Sequence, residues 1–283
     1  SHNLKLLDSS GIDYEMIVVD FNPINEQYLY VNSLMEEVLQ HPRVKNLIVD
    51  PSVSVAEDLT PSTYYEYYAK NAGCRISTGK LIFITNSDIM MTEELINEIK
   101  GELDSDDKDN VFYRCRMRGD ISLGDYPVSN PRVANHGGEL TGPLDGWGDS
   151  KQVLDLYENL KHHNLLEEDP VLGLWSGDAT MFSRDVFFNV ATAYNENDDC
   201  HRTSLNQSCM DAEILWNLLH KGKKLKFLNS PYYHIYHGHP LPRDNNYAKI
   251  KYENKSDWGF IKYNKQKIND NTEIIVNGEI EWD

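Results

Sequence analysis

The sequence of 283 residues predicts an α/β fold in a single domain, with a mostly parallel central sheet flanked by helices and a variable C-terminal part. Short apolar runs alternate with segments whose apolar residues recur at the helical period, a pattern typical of βαβ units. Hydrophobic residues make up 40% of the chain, which is enough for one sizeable core. The three runs predicted as buried strands are EMIVVD (15–20), NLIVD (46–50) and LIFIT (81–85).

Helix signals lie between these strands. Apolar residues from Tyr28 to Leu39 repeat with the helical period, and Pro42 marks the end of that helix. After a polar loop, Thr60 and Pro61 are an N-cap and a first-turn proline for a helix that runs through Ile76. Further along, the pattern predicts a helix capped by Thr92, a helix at 151–162, a strand at 179–183, a helix at 208–220 that Gly222 ends, and a strand at 224–228.

The charge balance restricts the partners of the protein. The formal net charge is -18, from 45 acidic and 27 basic residues, and this works against nucleic acid or an anionic membrane surface as a partner. A bound phosphate would need a local cation here, which favours a divalent metal. No run approaches the roughly 18 apolar residues of a membrane span. The four cysteines lack C-x-x-C spacing, which indicates a reducing, cytoplasmic location.

Three acids follow the predicted strands, namely Asp20, Asp50 and Asp88. Ligands of parallel α/β sheets bind at the carboxyl ends of the strands, so these acids are candidates for a binding site. Aspartate is also a common turn former and helix cap after a strand, and this structural alternative stays open.

The segment KNAGCRISTGKLIFITNSDIM (70–90) places a basic and amide pair on a helix, then a buried strand, then Asn86-Ser87-Asp88 at the end of that strand. It resembles the signature of GT-A fold glycosyltransferases, and within them an inverting family 2-like subgroup with an AKN-G...N-x-D motif. The resemblance covers about residues 15–240 and implies the Rossmann-like GT-A fold.

The resemblance implies a glycan-biosynthesis enzyme that transfers a sugar from a UDP-, GDP- or dTDP-sugar to a glycan or other hydroxyl acceptor, with inversion. It implies Mn²⁺ or Mg²⁺ as cofactor, with Asp88 as a metal ligand and His237 or His239 as a further ligand. The histidines of HIYHGH (234–239) alternatively form a zinc site of their own or pack as ordinary surface residues. The predicted nucleotide-binding residues are Asp20, Asp50, Lys70, Asn71, Arg75, Asn86, Ser87 and Asp88, with Asn71 alternatively a helix-surface residue.

The same comparison implies an acceptor site and a general base. The acceptor-binding residues are Trp147, Trp175, Gly177 and Asp178. Asp211 is the predicted base, with Glu213 and Asp178 as reserves. Acids in a first helical turn are also favoured by the helix dipole and by capping, so Asp211 and Glu213 have a structural alternative. The Gly- and Pro-rich stretch 118–150, which contains Trp147, is predicted to be an active-site lid, an acceptor loop or a solvated insertion.

These assignments divide the chain into a nucleotide-sugar-binding half (1–110), an acceptor-binding and catalytic half (111–240) and a C-terminal extension (241–283). A GT-A domain normally begins with a strand that has no counterpart before EMIVVD. Either that strand precedes the given sequence, or another element such as TEIIV (272–276) takes its place, or the donor pocket is incomplete. The last case predicts a catalytically degenerate carbohydrate- or nucleotide-binding protein. A nucleotidyltransferase is disfavoured because no basic, glycine-rich phosphate loop follows the first strand.

Overall fold

The computed structural model describes residues 2–21, 36–57, 66–122, 134–135, 179–191, 214, 218, 221–236 and 262–277. They belong to two compact units, and each is described by itself. The first unit holds the described residues of 13–79 together with 262–277, and the second holds 2–12 and those of 80–236. None of the described helices is long and apolar enough to cross a membrane.

The first unit contains a four-stranded sheet in the order β1-β2-β10-β9. Its strands are β1 (Met16–Phe21), β2 (Val44–Val49), β9 (Asn264–Asn269) and β10 (Thr272–Val276). The predicted strands at 15–20 and 46–50 are therefore confirmed. Both β1 and β10 run parallel to β2, whose residues are almost all buried, as expected for an apolar strand in the interior of a parallel sheet.

The segment TEIIV is strand β10, and it lies beside β2 rather than beside β1. It therefore does not extend the sheet on the side of EMIVVD, and β1 is the end strand of the described sheet. The opposite end strand, β9, is antiparallel to β10 and carries Lys265 and Lys267. Charged side chains on an end strand discourage pairing with other chains.

The described residues of this unit form three helices, α2 (Glu36–Leu39), α3 (Pro51–Ala56) and α4 (Glu66–Ile76). The sequence predicts a loop where α3 forms, and this prediction is wrong. Helix α4 runs through Ile76 as predicted, and it packs closely on β1 at Gly73. A Cβ at that position would lie 3.0 Å from Cγ2 of Val19, so only glycine allows this approach without a shift.

The strands of the second unit are β3 (Leu81–Thr85), β4 (Ile89–Met90), β5 (Val111–Ser122), β6 (Ala134–Asn135), β7 (Ala179–Ser183) and β8 (Lys224–Tyr236). They form a sheet in the order β3-β7-β5-β8-β4, with β6 paired to β5. Of its strand pairs only β5 with β8 is parallel, so the described residues form two mixed sheets rather than one mostly parallel sheet. The predicted strands at 81–85 and 179–183 are confirmed.

Two sequence predictions are corrected in this sheet. Residues 118–122 continue β5 and 134–135 form β6, so these parts of the stretch 118–150 are strand and not loop. Strand β8 continues eight residues beyond the predicted end at 228, through Pro231 to Tyr236. Gly119 and Asp120 within β5, and Pro231 within β8, are disfavoured in strands and obscure both strands in the sequence.

Helices α1 (His2–Ser10) and α5 (Glu93–Leu103) pack on this unit's core. Thr92 is the N-cap of α5, as predicted, because its side chain accepts a hydrogen bond from Leu95 N. The described residues of the predicted helix at 208–220, Ile214 and Leu218, are helical and buried. Gly222, with a φ of 75°, follows that helix as predicted. A π-helical segment (Val186–Ala191) follows β7.

Candidate functional site

The motif Asn86-Ser87-Asp88 forms a tight turn between β3 and β4. Ile89 N donates to Asn86 O at 3.3 Å, which closes the turn over Ser87 and Asp88. Asn86 and Asp88 are half-buried, whereas Ser87 is exposed. The strand thus ends in a hydrogen-bonded turn that carries the Asp88 side chain.

The Asp88 carboxylate lies against an imidazole from a distant part of the chain. His234 Nε2 is 3.0 Å from Asp88 Oδ2. The two side chains are 23% and 13% exposed, so they are shielded yet still accessible from solvent. The structure therefore brings together the N-x-D motif and the histidine-containing segment, which the sequence predicts to meet.

Strand pairing explains this meeting. In the antiparallel pair of β4 and β8, Ile89 is opposite His234 and Met90 is opposite Tyr233. Ile235 N donates to Asp88 O at 2.8 Å, which ties the backbone of the turn to β8 beside His234. The site is therefore held by main-chain hydrogen bonds as well as by the side-chain contact.

A β-bulge in β8 sets the register that aims His234 at Asp88. Cys115 is opposite Leu228 and Met117 is opposite Pro231, so two residues of β8 face one residue of β5. The bulge takes Asn229 and Ser230 N–H out of the ladder, and both donate to the carboxylate of Glu98 on α5 at 2.9 Å. Thr92 Oγ1 donates to Pro231 O at 2.6 Å just beyond the bulge.

The spacing of the Asp88 and His234 atoms fits a cation as well as a hydrogen bond. Two ligand atoms, each about 2.1 Å from an octahedral cation and at right angles, are about 3.0 Å apart. Carboxylate oxygen and imidazole nitrogen both bind Mn²⁺-type cations. Among the described residues no group of three His, Cys, Asp or Glu side chains forms such a site, so a further ligand would come from elsewhere, such as water or His237 or His239.

In the first unit, Asp20 is the strand-end acid whose pKa is shifted from its ordinary value. It lies near the carboxyl end of β1, and burial raises the pKa of its carboxyl group. Asp50, after β2, is instead the N-cap of α3, with Oδ1 accepting from Ser52 N at 2.8 Å. The capping alternative raised from the sequence is therefore confirmed for Asp50, while Asp20 has no comparable structural task among the described residues.

The candidates on α4 differ in their environments. Lys70 is paired with Glu66 one turn earlier, with Nζ 2.5 Å from Oε1, and only 7% of its side chain is exposed. Asn71 is fully buried, so the alternative that it lies on the helix surface is wrong. Arg75, in the last turn, is half-buried.

The other predicted site residues lie outside the described part of the chain, and their roles stay predictions. They are Trp147, Trp175, Gly177, Asp178, Asp211, Glu213, His237 and His239.

The sequence did not single out His234. It stands in the HIYHGH segment, but the resemblance points to His237 or His239. The sequence has no clear signal for it, because Pro231 hides the continuation of β8 that carries His234 to the turn. Comparison of the chain with protein-family models and with curated proteins gives no match.

Proposed function

We propose that the protein is a metal-dependent glycosyltransferase that moves a sugar from a nucleotide-sugar donor to a hydroxyl acceptor. The observation that carries the proposal is the 3.0 Å contact between Asp88 and His234, since it joins a strand-end N-x-D motif to a histidine of the C-terminal region. The resemblance of residues 70–90 to GT-A enzymes supplies the reaction class.

Asp88 and His234 would hold Mn²⁺ or Mg²⁺. When bound, such a cation neutralises the negative charge that develops on a diphosphate leaving group. Ser87 is exposed beside Asp88, and Asn86 offers an amide, so the turn can also hydrogen-bond the donor. The formal net charge of -18 makes a local cation the simplest way to bind a diphosphate here.

In the first unit, Asp20 is the candidate for a polar contact with the donor. A carboxylate whose pKa is raised by burial is costly to keep ionised, and perturbed acids of this kind concentrate at functional sites. Asp50 is the weaker candidate, because its role as the N-cap of α3 already accounts for an acid at that position.

The transfer itself needs a base. The acceptor hydroxyl attacks the anomeric carbon, the bond from that carbon to the nucleotide oxygen breaks, and the hydroxyl proton passes to a carboxylate. Asp211 is the proposed proton acceptor, with Asp178 and Glu213 as reserves. A direct displacement of this kind inverts the anomeric configuration.

Calorimetry of Mn²⁺ binding, alone and with UDP-, GDP- and dTDP-sugars, tests the metal site. Asp88→Asn and His234→Gln should each weaken Mn²⁺ binding by about 10-fold or more, because each removes one ligand. Asp106→Asn is the matched control, since Asp106 is exposed and distant in the chain from the motif. Equal Mn²⁺ affinity in all four proteins would refute the proposed site.

Turnover separates an enzyme from a degenerate binding relative. Asp211→Asn should leave donor binding unchanged and lower turnover by about 10²–10⁴, the usual contribution of a positioned base. NMR of the product should show inversion. A wild-type protein that binds donor and Mn²⁺ but transfers no sugar to any acceptor would favour the carbohydrate- or nucleotide-binding alternative.

A further inference from the structure

Asn3, in the first turn of α1, makes two hydrogen bonds to the backbone beside the candidate site. Its Nδ2 donates to Ile89 O at 2.9 Å, and its Oδ1 accepts from Met91 N at 2.9 Å. His2 adds a third bond, from Nε2 to Met91 O at 2.9 Å. The carboxamide of Asn3 therefore presents one donor and one acceptor to the strand, as the backbone of a neighbouring strand would.

These bonds fall on the edge of β4 that faces away from β8. Ile235 N donates to Asp88 O, so the backbone N–H and C=O groups of residues 88 and 90 face β8. Those of residues 89 and 91 therefore point to the opposite edge of β4. Strand β4 is only two residues long and ends its sheet. Asn3 thus occupies the position of a missing neighbouring strand at the point where the chain leaves Asp88.

We propose that Asn3 is a positioning residue that holds the Asp88 turn against His234. The inference rests on the proposed function in one respect, since it takes the Asp88–His234 pair as the metal site. A two-residue strand held on one edge by β8 alone would shift easily, because so few ladder bonds fix it. With Asn3 on the other edge, the turn is fixed from both sides and the two ligand atoms stay 3.0 Å apart.

The test compares Asn3→Ala with Lys100→Met. Lys100 Nζ donates to Ser10 O at 2.8 Å, so Lys100→Met also loosens α1 but at its far end, away from β4. Asn3→Ala should lose more thermal stability than Lys100→Met, because it removes two part-buried hydrogen bonds and Lys100→Met removes one exposed bond. Asn3→Ala should weaken the binding of Mn²⁺ alone by about 10-fold, as expected for the loss of a supporting hydrogen bond behind a metal ligand, whereas Lys100→Met should bind normally.

Amide hydrogen exchange gives a second readout that needs no metal. The Ile235 amide, which donates to Asp88 O, should exchange faster in Asn3→Ala and at the wild-type rate in Lys100→Met. Asn3→Gln, which keeps the carboxamide on a longer arm, should restore part of the protection. Should Asn3→Ala fail to fold, Asn3→Gln carries the same comparison.

The two possible failures are distinguishable. Wild-type protein that binds no Mn²⁺ would refute the metal site, and exchange at Ile235 would still decide the role of Asn3. Unchanged Ile235 exchange in Asn3→Ala, or equal acceleration in Lys100→Met, would refute the positioning role whatever the metal does.

Discussion

Replacing Glu98 on α5 by alanine should destabilise the second unit. The Glu98 carboxylate accepts two hydrogen bonds of 2.9 Å from the N–H groups of Asn229 and Ser230. A hydrogen bond to a charged group contributes about 1.5–3 kcal/mol, and a buried donor left without a partner costs a similar amount. Asn229 is exposed, so water replaces its bond, whereas Ser230 is half-buried and loses most of that energy. We therefore expect the free energy of unfolding to fall by about 2–3 kcal/mol.

Urea denaturation monitored by tryptophan fluorescence and circular dichroism measures this loss. Glu94→Ala is the matched control, because Glu94 lies exposed in the first turn of the same helix, where an acid contributes at most about 1 kcal/mol. Glu98→Ala should also speed amide exchange at Ser230. If the two variants unfold at the same urea concentration, Glu98 does not hold the bulge, and the register of His234 must have another cause.

Three further changes test the first unit. Burial raises the pKa of Glu15, but hydrogen bonds from Lys45 and Thr78 together lower it by more, so the net pKa lies below the ordinary 4.5. Glu15→Gln should therefore lower the melting temperature at pH 7, and the difference from wild type should vanish as pH falls below 4.5. Burial raises the pKa of Asp20 above its ordinary 3.8, so the ionised carboxylate destabilises the folded protein. In thermal melts at a series of pH values, Asp20→Asn should be more stable than wild type at pH 7, and the difference should shrink toward pH 3.8. A variant less stable than wild type at pH 7 would contradict this. Gly73→Ala should destabilise by about 1 kcal/mol, because overpacking against Val19 outweighs the gain in helix propensity, and it should become stabilising in a Val19→Ala background.

The sequence predicts local features well where one side chain dictates the backbone. Thr92 caps α5 and Gly222 follows a helix as predicted, because a hydroxyl acceptor and a positive φ each have few alternative residues. The buried strands at 46–50 and 81–85 were predicted for a similar reason, since a short apolar run bounded by turn residues has few other uses.

The arrangement of strands could not be read in the same way. Apolar residues that recur every 2 or 3.6 positions indicate which face of a strand or helix is buried, but they do not indicate which strand lies next to it. Nothing local in TEIIV indicates that it pairs with β2, and nothing in ATMFS indicates that it runs antiparallel between β3 and β5.

The candidate site was predicted in part for the same reason. Asp88 could be chosen from its motif, and a histidine from 234–239 was expected near it. The position of His234 depends on the register of β8, which involves a one-residue bulge and a glutamate in another helix. Because successive side chains of a strand point to opposite faces, a slip of one residue would turn His234 away from Asp88 and bring Tyr233 or Ile235 to its place.

The pairing of β10 with β2 has a consequence for synthesis of the chain. Asn46 lies opposite Thr272, far later in the chain, so the first sheet cannot close until Thr272 has left the ribosome. Until then β2, one of the most apolar strands, exposes an edge to other chains. Expression at lower temperature or with a holding chaperone should therefore raise the yield of native protein. Removal of residues 264–276, which form β9 and β10, should abolish that yield, because these strands belong to the first sheet and are not an accessory tail.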